Sequence, residues 1–393
     1  MKRIKIAFFA EILIEAFDGA SRTMFQILRR IPNEKFEFLF ICGVGPDQIF
    51  GYKCLRLPTL TIPFNSTYKM AIPALAKGKI NSTLAVFDPD VIHIATPSML
   101  GNFALHYAHE MQKPVISIYH THFISYVDYY LRRLPFLIGP VKASIARQQT
   151  DFYNRCDMVY VPAESIATEL VGMGITPDRI KIWKRGIDTS LFNPEKRHTA
   201  ILSKITGNEL PVVLFASRLV WEKNLEILIQ VYILCQKRNL PFNFLIVGDG
   251  VARASCEKRM PKAIFLGNTD HQMLSQIYAS ADIFLFPSIS ESYGNVVMEA
   301  MASGLPCVIA DGGGSQDFIE QGINGFKCMP NTPEDFVEKI NKLLEDKPLW
   351  SRISQAGRLY SQQYSWKELV NSYFEDVAFL SKIKNHTACN ISK

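Results

Sequence analysis

Short apolar runs and amphipathic stretches alternate along the whole chain. Residues 3–9, 36–41, 53–57, 91–95, 114–118 and 157–161 are apolar, brief and rich in Ile, Val and Phe, which predicts strands. Between them, 21–31, 71–86, 101–111, 128–153 and 164–172 carry apolar residues at helical spacing. Strands alternating with helices predict a parallel sheet covered on both faces. After a polar stretch from Lys196 to Glu209, read as a linker, the pattern restarts. Strands are predicted at 212–216, 243–247, 263–266, 282–286 and 306–309, and helices at 224–238, 271–280, 296–303, 333–345 and 348–363. Tyr364-Ser-Trp366 breaks the last of these and opens a further helix at 366–380, after which the tail from Ser381 is polar and expected to fray. The expected division is 1–200, 205–363 and a closing helix 364–380. Two doubly wound parallel sheets leave a cleft between the carboxyl ends of their strands, where such folds bind ligands.

Composition narrows the class without naming an activity. With 393 residues, 48% hydrophobic and 20% charged, the chain is long enough for two cores. A net charge of +6 is too weak to argue for nucleic acid, but suits an anionic substrate or membrane face. Eight cysteines without a CxxC pair read as reduced and mostly buried, which predicts a cytoplasmic protein. Glu11 and Glu15 interrupt the apolar amino terminus, so a first strand is expected there in place of a signal peptide. No run of 18 apolar residues exists, so no spanning helix is expected. The stretch 126–155 carries Arg132, Arg133, Lys142, Arg147 and Arg155 against only Asp128 and Asp151. It could rest peripherally on an anionic bilayer, or simply flank the cleft.

Candidate chemistry concentrates at strand-to-helix turns. Glu291 falls in the loop after Ile283–Phe286, and Glu299 lies inside the next predicted helix, which Gly304 and Pro306 end. Between the two carboxylates lie the backbone N–H groups of Gly294, Asn295 and Val296, at a helix start that favours an anion. A ligand with hydroxyls at both ends and a diphosphate between them suits this arrangement, and a sugar nucleotide is such a ligand. The bland alternative is a buried helix with solvated glutamates at its edges. Arg218 and Lys223, on the turn after the strand 212–216, would stabilise a departing diphosphate as its charge develops. No Asp-x-Asp motif accompanies them in the second half of the chain, so a site without metal or cofactor is expected. Gly248, in Val247-Gly-Asp-Gly250, allows close backbone approach to a ligand or within a plain turn. Asp311-Gly-Gly-Gly314 is a phosphate-friendly loop but weak evidence alone. Gly19, before the first helix, could let N–H groups meet a phosphate, or the helix is merely capped. No G-x-G-x-x-G follows a strand, which argues against a dinucleotide-dependent dehydrogenase.

These segments together resemble the retaining glycosyltransferases of family 4, which have the GT-B fold of two Rossmann-like domains. The resemblance covers about residues 3–380. It includes Glu291-x7-Glu299 with Tyr293-Gly294-Asn295, Arg218-Leu-Val-Trp-Glu222-Lys223, Gly248-Asp249-Gly250, His120-Thr-His122-Phe123 and Arg185-Gly186-Ile187-Asp188. It is similar in particular to a subgroup containing GDP-mannose-dependent mannosyltransferases and sulfoquinovosyltransferases. Departures are Asp18-Gly-Ala-Ser-Arg22 for the usual Asn-Gly-Val-x-Arg, His122 for an Asp or Asn, and Gly-Gly-Gly-Ser-Gln-Asp317 for a Gly-Gly-Pro turn.

The resemblance implies that the closing helix crosses back onto the first domain. It also implies transfer, with retention, of a hexosyl group from a nucleotide-diphosphate sugar, GDP-mannose first and a UDP-sugar second. The acceptor would be a glycan or lipid-linked molecule. By the same implication Arg218 and Lys223 hold the diphosphate, Glu291 the sugar hydroxyls and Glu299 the ribose. His120 lies near the transferred sugar, and Gly248, Arg253 and the Phe265-Leu-Gly267 loop lie near the nucleotide. His93 is expected to line the cleft, and Arg185 to pack the hinge or touch the donor. A sugar-nucleotide 2-epimerase of the same architecture and an inactive sugar-nucleotide-binding module are the competing readings.

Overall fold

The computed structural model describes residues 2–393 except 16, 18, 63–64, 121–126, 128–134 and 392–393, and not the side chains of 62, 65–68, 199 and 384–391. The first domain runs β1 (Ile4–Ile12), α1 (Gly19–Leu28), β2 (Phe36–Val44), β3 (Gln48–Ile49), β4 (Tyr52–Arg56), β5 (Thr59–Ile62) and β6 (Asn65–Ala71). It continues through α2 (Lys77–Phe87), β7 (Val91–Ile94), α3 (Met99–Glu110), β8 (Val115–Ile118), α4 (Pro135–Asn154), β9 (Met158–Val161), α5 (Glu164–Gly172) and β10 (Ile180–Ile182). Its main sheet has the order β10-β9-β8-β7-β1-β2-β4-β3. All neighbours in it are parallel except β3 with β4, and β5 and β6 form a separate antiparallel hairpin.

The second domain runs α6 (Thr199–Thr206), β11 (Val212–Ala216), α7 (Leu225–Lys237), β12 (Asn243–Val247), α8 (Arg253–Arg259), β13 (Ile264–Gly267), α9 (His271–Ser280) and β14 (Ile283–Phe286). Then follow α10 (Asn295–Ala302), β15 (Cys307–Ala310), β16 (Phe326–Cys328), α11 (Pro333–Glu345), α12 (Lys347–Gln362) and α13 (Trp366–Ile391). Its sheet, β13-β12-β11-β14-β15-β16, is parallel throughout.

In each sheet the winding reverses beside the first strand, between β1 and β7 and between β11 and β14. Those are the positions where a crevice opens at the strand carboxyl ends.

Side chains alternate across β1, and the two sets find different partners. Ala7 and Phe9 pack with Leu84, Leu105 and Phe152. Ile6 and Phe8 pack with Met24, Ile27 and the closing helix through Tyr373, Phe374 and Val377. A strand buried on both faces must be apolar throughout, which is why β1 reads as a continuous hydrophobic run.

Helix α13 lies on the first sheet although it follows the second in sequence. The Tyr160 hydroxyl donates to Asp376 at 2.6 Å, Lys181 Nζ donates to the same carboxylate at 2.7 and 2.6 Å, and Trp183 Nε1 donates to the Leu369 carbonyl at 2.9 Å. The two chain segments that connect the domains run side by side. Ile187 pairs with Ser365, and a Cβ on Gly186 would lie 2.6 Å from the Trp366 nitrogen.

Three expectations are corrected. The stretch 196–209 is not a bare linker: Leu202 is buried, and it anchors α6 there. The tail does not fray at Ser381, since α13 continues to Ile391. His93 does not line the cleft. It stacks on Phe8 with ring centroids 4.1 Å apart and meets the Tyr373 hydroxyl at 2.9 Å, beneath α13. Burial holds its imidazole down to about 3, so it is a neutral core residue.

Candidate active site

The crevice is built from loops at the carboxyl ends of β1, β8, β11 and β14. In the second domain, the turn after β11 carries Arg218 and Lys223. Lys223 is buried and forms an ion pair with Glu291, from the loop after β14. The Ser288 hydroxyl lies 3.5 Å from the same Glu291 oxygen. Arg218 is 65% exposed and only loosely paired with Glu222, at 3.8 Å, so its guanidinium is available to a ligand.

Two further loops press this pair into place. Leu219 N–H donates to the Asp249 carbonyl at 2.8 Å, so the turn after β12 backs the Arg218 turn. Gly248 sits at φ +125°, and a Cβ there would overlap the Ser217 carbonyl oxygen. Its glycine is therefore accounted for by approach of backbone to backbone. The Gly312–Gly314 run packs likewise against the Glu291 loop. Gly314 N–H donates to the Glu291 carbonyl at 2.7 Å, and a Cβ on Gly313 would lie 2.6 Å from the Ile289 carbonyl oxygen. Arg253 is tied to Asp249 at 3.1 Å and Glu257 at 2.8 Å on its own helix.

Gly294 begins α10 with φ +90°, a left-handed conformation suited to glycine, and leaves the N–H groups of Asn295 and Val296 in the first turn of the helix. Across the crevice, a Cβ on Gly19 at the start of α1 would lie 3.6 Å from Asn295 Nδ2. The amino ends of α1 and α10 thus face each other, and both favour an anion between them.

Glu299, one turn further along α10, has Tyr278 beside it and Arg22 of α1 opposite. Burial pushes its carboxyl up to about 7, against the opposing pull of Arg22 and Tyr278. Arg22 also faces His271, at the start of α9, whose imidazole is held below its ordinary value by burial and by that guanidinium.

His120 follows β8 and is buried, with neither ring nitrogen hydrogen-bonded among the described residues. Burial, then the charges of Arg185 and His93, hold it well below the ordinary histidine value, so the ring is neutral. Its carbonyl accepts a hydrogen bond from the Ser292 hydroxyl of the other domain at 2.7 Å. The next residue, Tyr293, donates to the Arg185 carbonyl at 2.7 Å and lies under the Arg185 guanidinium, 5.4 Å from its ring centre. Asp317, after the glycine run, accepts from Ser165 N–H at 2.8 Å in the first turn of α5.

The structure therefore groups Lys223 with Glu291, Gly19 with Asn295, and Arg22 with Glu299. It sets His120 beside the residue that follows Glu291. Gly248 stands one layer behind. His122, Asp18, Arg132 and Arg133 lie outside the described residues. The chain's Asp88-Pro89-Asp90 lies at the amino ends of the central strands of the first sheet, away from the crevice, where Asp88 pairs with Lys113 at 2.9 Å and Asp90 accepts from Lys5 N–H at 2.8 Å.

Family comparison agrees with this geometry. The family described as Glycosyltransferase Family 4 matches residues 17–191, and that described as Glycosyl transferases group 1 matches residues 195–360. The sulfoquinovosyl transferase SQD2 of Arabidopsis thaliana is 31% identical over 377 residues, covering 92% of this chain and 71% of that protein. The chain belongs to the family 4 glycosyltransferases. Among other relatives of this glycosyltransferase, a GDP-mannose-dependent alpha-mannosyltransferase of Mycobacterium tuberculosis is 29% identical over 80% of this chain and 81% of its own. The crystal structure of Anabaena Alr3699/HepE in complex with UDP and glucose superposes with a TM-score of 0.74 at 20% identity, covering 96% of this chain and all of that one. That likeness establishes the GT-B fold.

Sequence reading singled out most of the groups that line this crevice but not the bonds that join its halves. Lys223 and Glu291 are 68 residues apart, and Ser292 and His120 are 172 apart. Arg22 could have been flagged from its place in the Gly19–Thr23 helix start; Ser292 carried no signal.

Proposed function

We propose that this glycosyltransferase moves a hexosyl group, mannosyl first, from a nucleotide-diphosphate sugar to a glycan or lipid-linked acceptor, with retention and without a metal. The observation that carries the reading is the Lys223–Glu291 ion pair, held in a crevice where two helix amino ends face each other. The diphosphate would lie between those helix ends, with the ribose hydroxyls on Glu299 and the sugar hydroxyls on Glu291. Sugar binding at Glu291 would release Lys223 toward the leaving diphosphate, where it and Arg218 neutralise the charge that develops as the anomeric C–O bond breaks. Two cations on one turn supply what a divalent ion would otherwise give. His120, neutral and without a hydrogen-bond partner on its ring among the described residues, is suited to bond a sugar hydroxyl.

GDP-mannose is favoured by the mannosyltransferase relatives. A UDP-sugar is the second reading, supported by the UDP and glucose complex of the Anabaena neighbour. An acceptor at a membrane surface is supported by α4, where Phe136 is 71% exposed on the same helix as Lys142 and Arg147. We therefore place the enzyme in the cytoplasm, in peripheral contact with an anionic bilayer. Among the described residues no helix is long and apolar enough to cross a membrane.

The test is a thermal-shift series with GDP, UDP and ADP and their sugars, since a ligand of the folded state raises the melting temperature. One nucleotide family is expected to stabilise the chain. Arg218→Ala should keep that shift while lowering donor turnover by about a hundredfold, or roughly 2.7 kcal/mol. Full turnover in Arg218→Ala, or no shift with any sugar nucleotide, overturns the reading.

A further inference from the structure

We propose that Ser292 is a positioning residue for glycosyl transfer: its hydroxyl, bonded to the His120 carbonyl, seats the Glu291 side of the donor site against the histidine side. The proposal rests on the glycosyltransfer reading above.

The bond, at 2.7 Å, is buried at both ends and ties the loop after β14 to the end of β8, beside the Tyr293–Arg185 bond that also crosses between the domains. Among the described residues the His120 ring has no hydrogen-bond partner, and its backbone carbonyl is held by Ser292. On the other side, Ser292 has little freedom of its own. Glu291 is tied to Lys223, and its carbonyl accepts from Gly314 N–H. Tyr293 is tied to the Arg185 carbonyl and packs edge-on against Phe318 with ring centroids 4.6 Å apart. A displacement of Ser292 therefore moves Glu291, and a loss of its hydroxyl frees His120 relative to Glu291. Because the reacting sugar would lie between those two residues, an error in their spacing lowers the rate more than it lowers nucleotide affinity. Ser292 touches neither sugar nor diphosphate in this arrangement, and acts only through His120.

The experiment compares wild type with Ser292→Ala on the full chain, using GDP-mannose and UDP-glucose as probes. Turnover is read as donor hydrolysis, in which water takes the acceptor's place, the anomeric C–O bond breaks, and free sugar and nucleoside diphosphate leave. The expected result is a fall in kcat of about tenfold per nucleotide-binding site, with the Kd for GDP or UDP within about twofold of wild type. Amide hydrogen exchange at position 292 and at Tyr293 should be faster in the nucleotide-free variant. Unchanged kcat, or a Kd that weakens in step with kcat, overturns the proposal. A wild type that neither binds nor cleaves a sugar nucleotide overturns the functional reading instead. The exchange comparison still decides the positioning claim in that case, because equal rates would reject it.

Discussion

Glu299 is a carboxyl whose charge the crevice tunes. Its carboxyl rises from an ordinary value of 4.5 to about 7 because burial disfavours the anion. The folded chain thus holds this proton more tightly than the unfolded chain. The group's contribution to stability is greatest below about pH 4.5 and is lost as pH rises through about 7, where the buried anion is half formed. Glu299→Gln should therefore gain melting temperature relative to wild type on going from about pH 5 to about pH 8. Ribose hydroxyls donate to the anion and favour it, so nucleotide binding near pH 6.5 should release up to about three-quarters of a proton more from wild type than from the variant. Calorimetry in buffers of different ionisation enthalpy reads that proton directly, and equal release from both proteins would remove Glu299 from the nucleotide site. At this scale the sequence exposed residue types and helix starts, and so pointed to Glu299. It could not expose the burial that raises the carboxyl, nor the Arg22 guanidinium that opposes it, because both come from elements distant in the chain.

The elements were legible where periodicity was strong. Strands 212–216 and 243–247 and helices 164–172, 271–280 and 333–345 fall where the apolar pattern placed them. The pattern failed for short or polar pieces: the β5–β6 hairpin, the three-residue strands β10 and β16, and the seven-residue helix α8. Such pieces are decided by what they pack against and carry too few residues to show a period. The glycine-rich loops were ambiguous for another reason, since the same residue serves approach to a phosphate and approach to another loop. Gly314 distinguishes the two. A Cβ there would overlap the Ser292 carbonyl oxygen, so Gly314→Ala must push the 288–293 loop outward. A loss of roughly 1–3 kcal/mol is expected from such overpacking, seen as a lower urea midpoint. A several-fold rise in donor KM should accompany it, because Glu291 moves with the loop. A variant with normal stability and only weakened nucleotide affinity would instead show that this loop contacts the phosphates directly.

At the scale of the molecule, the closing helix makes the first domain depend on the last residues of the chain. Tyr373 is fully buried against the rings of His93, Tyr160 and Phe374, and its hydroxyl meets His93 at 2.9 Å. The nucleotide-facing loops, by contrast, belong to the second sheet, whose core forms one cluster of its own. Tyr373→Ala should remove about 3–5 kcal/mol from the first domain alone, by lost burial and a cavity that the surrounding rings cannot close. Unfolding, cooperative in wild type through α13 and the paired crossings at Ile187 and Ser365, should separate in the variant into two calorimetric transitions. The lower transition belongs to the first domain. GDP or UDP should raise the upper one, because most of the proposed nucleotide contacts lie in the second domain. If the nucleotide raised both transitions equally, the donor site would have to be shared evenly between the domains, and the helix ends facing across the crevice would carry more of the binding than the Glu299 side.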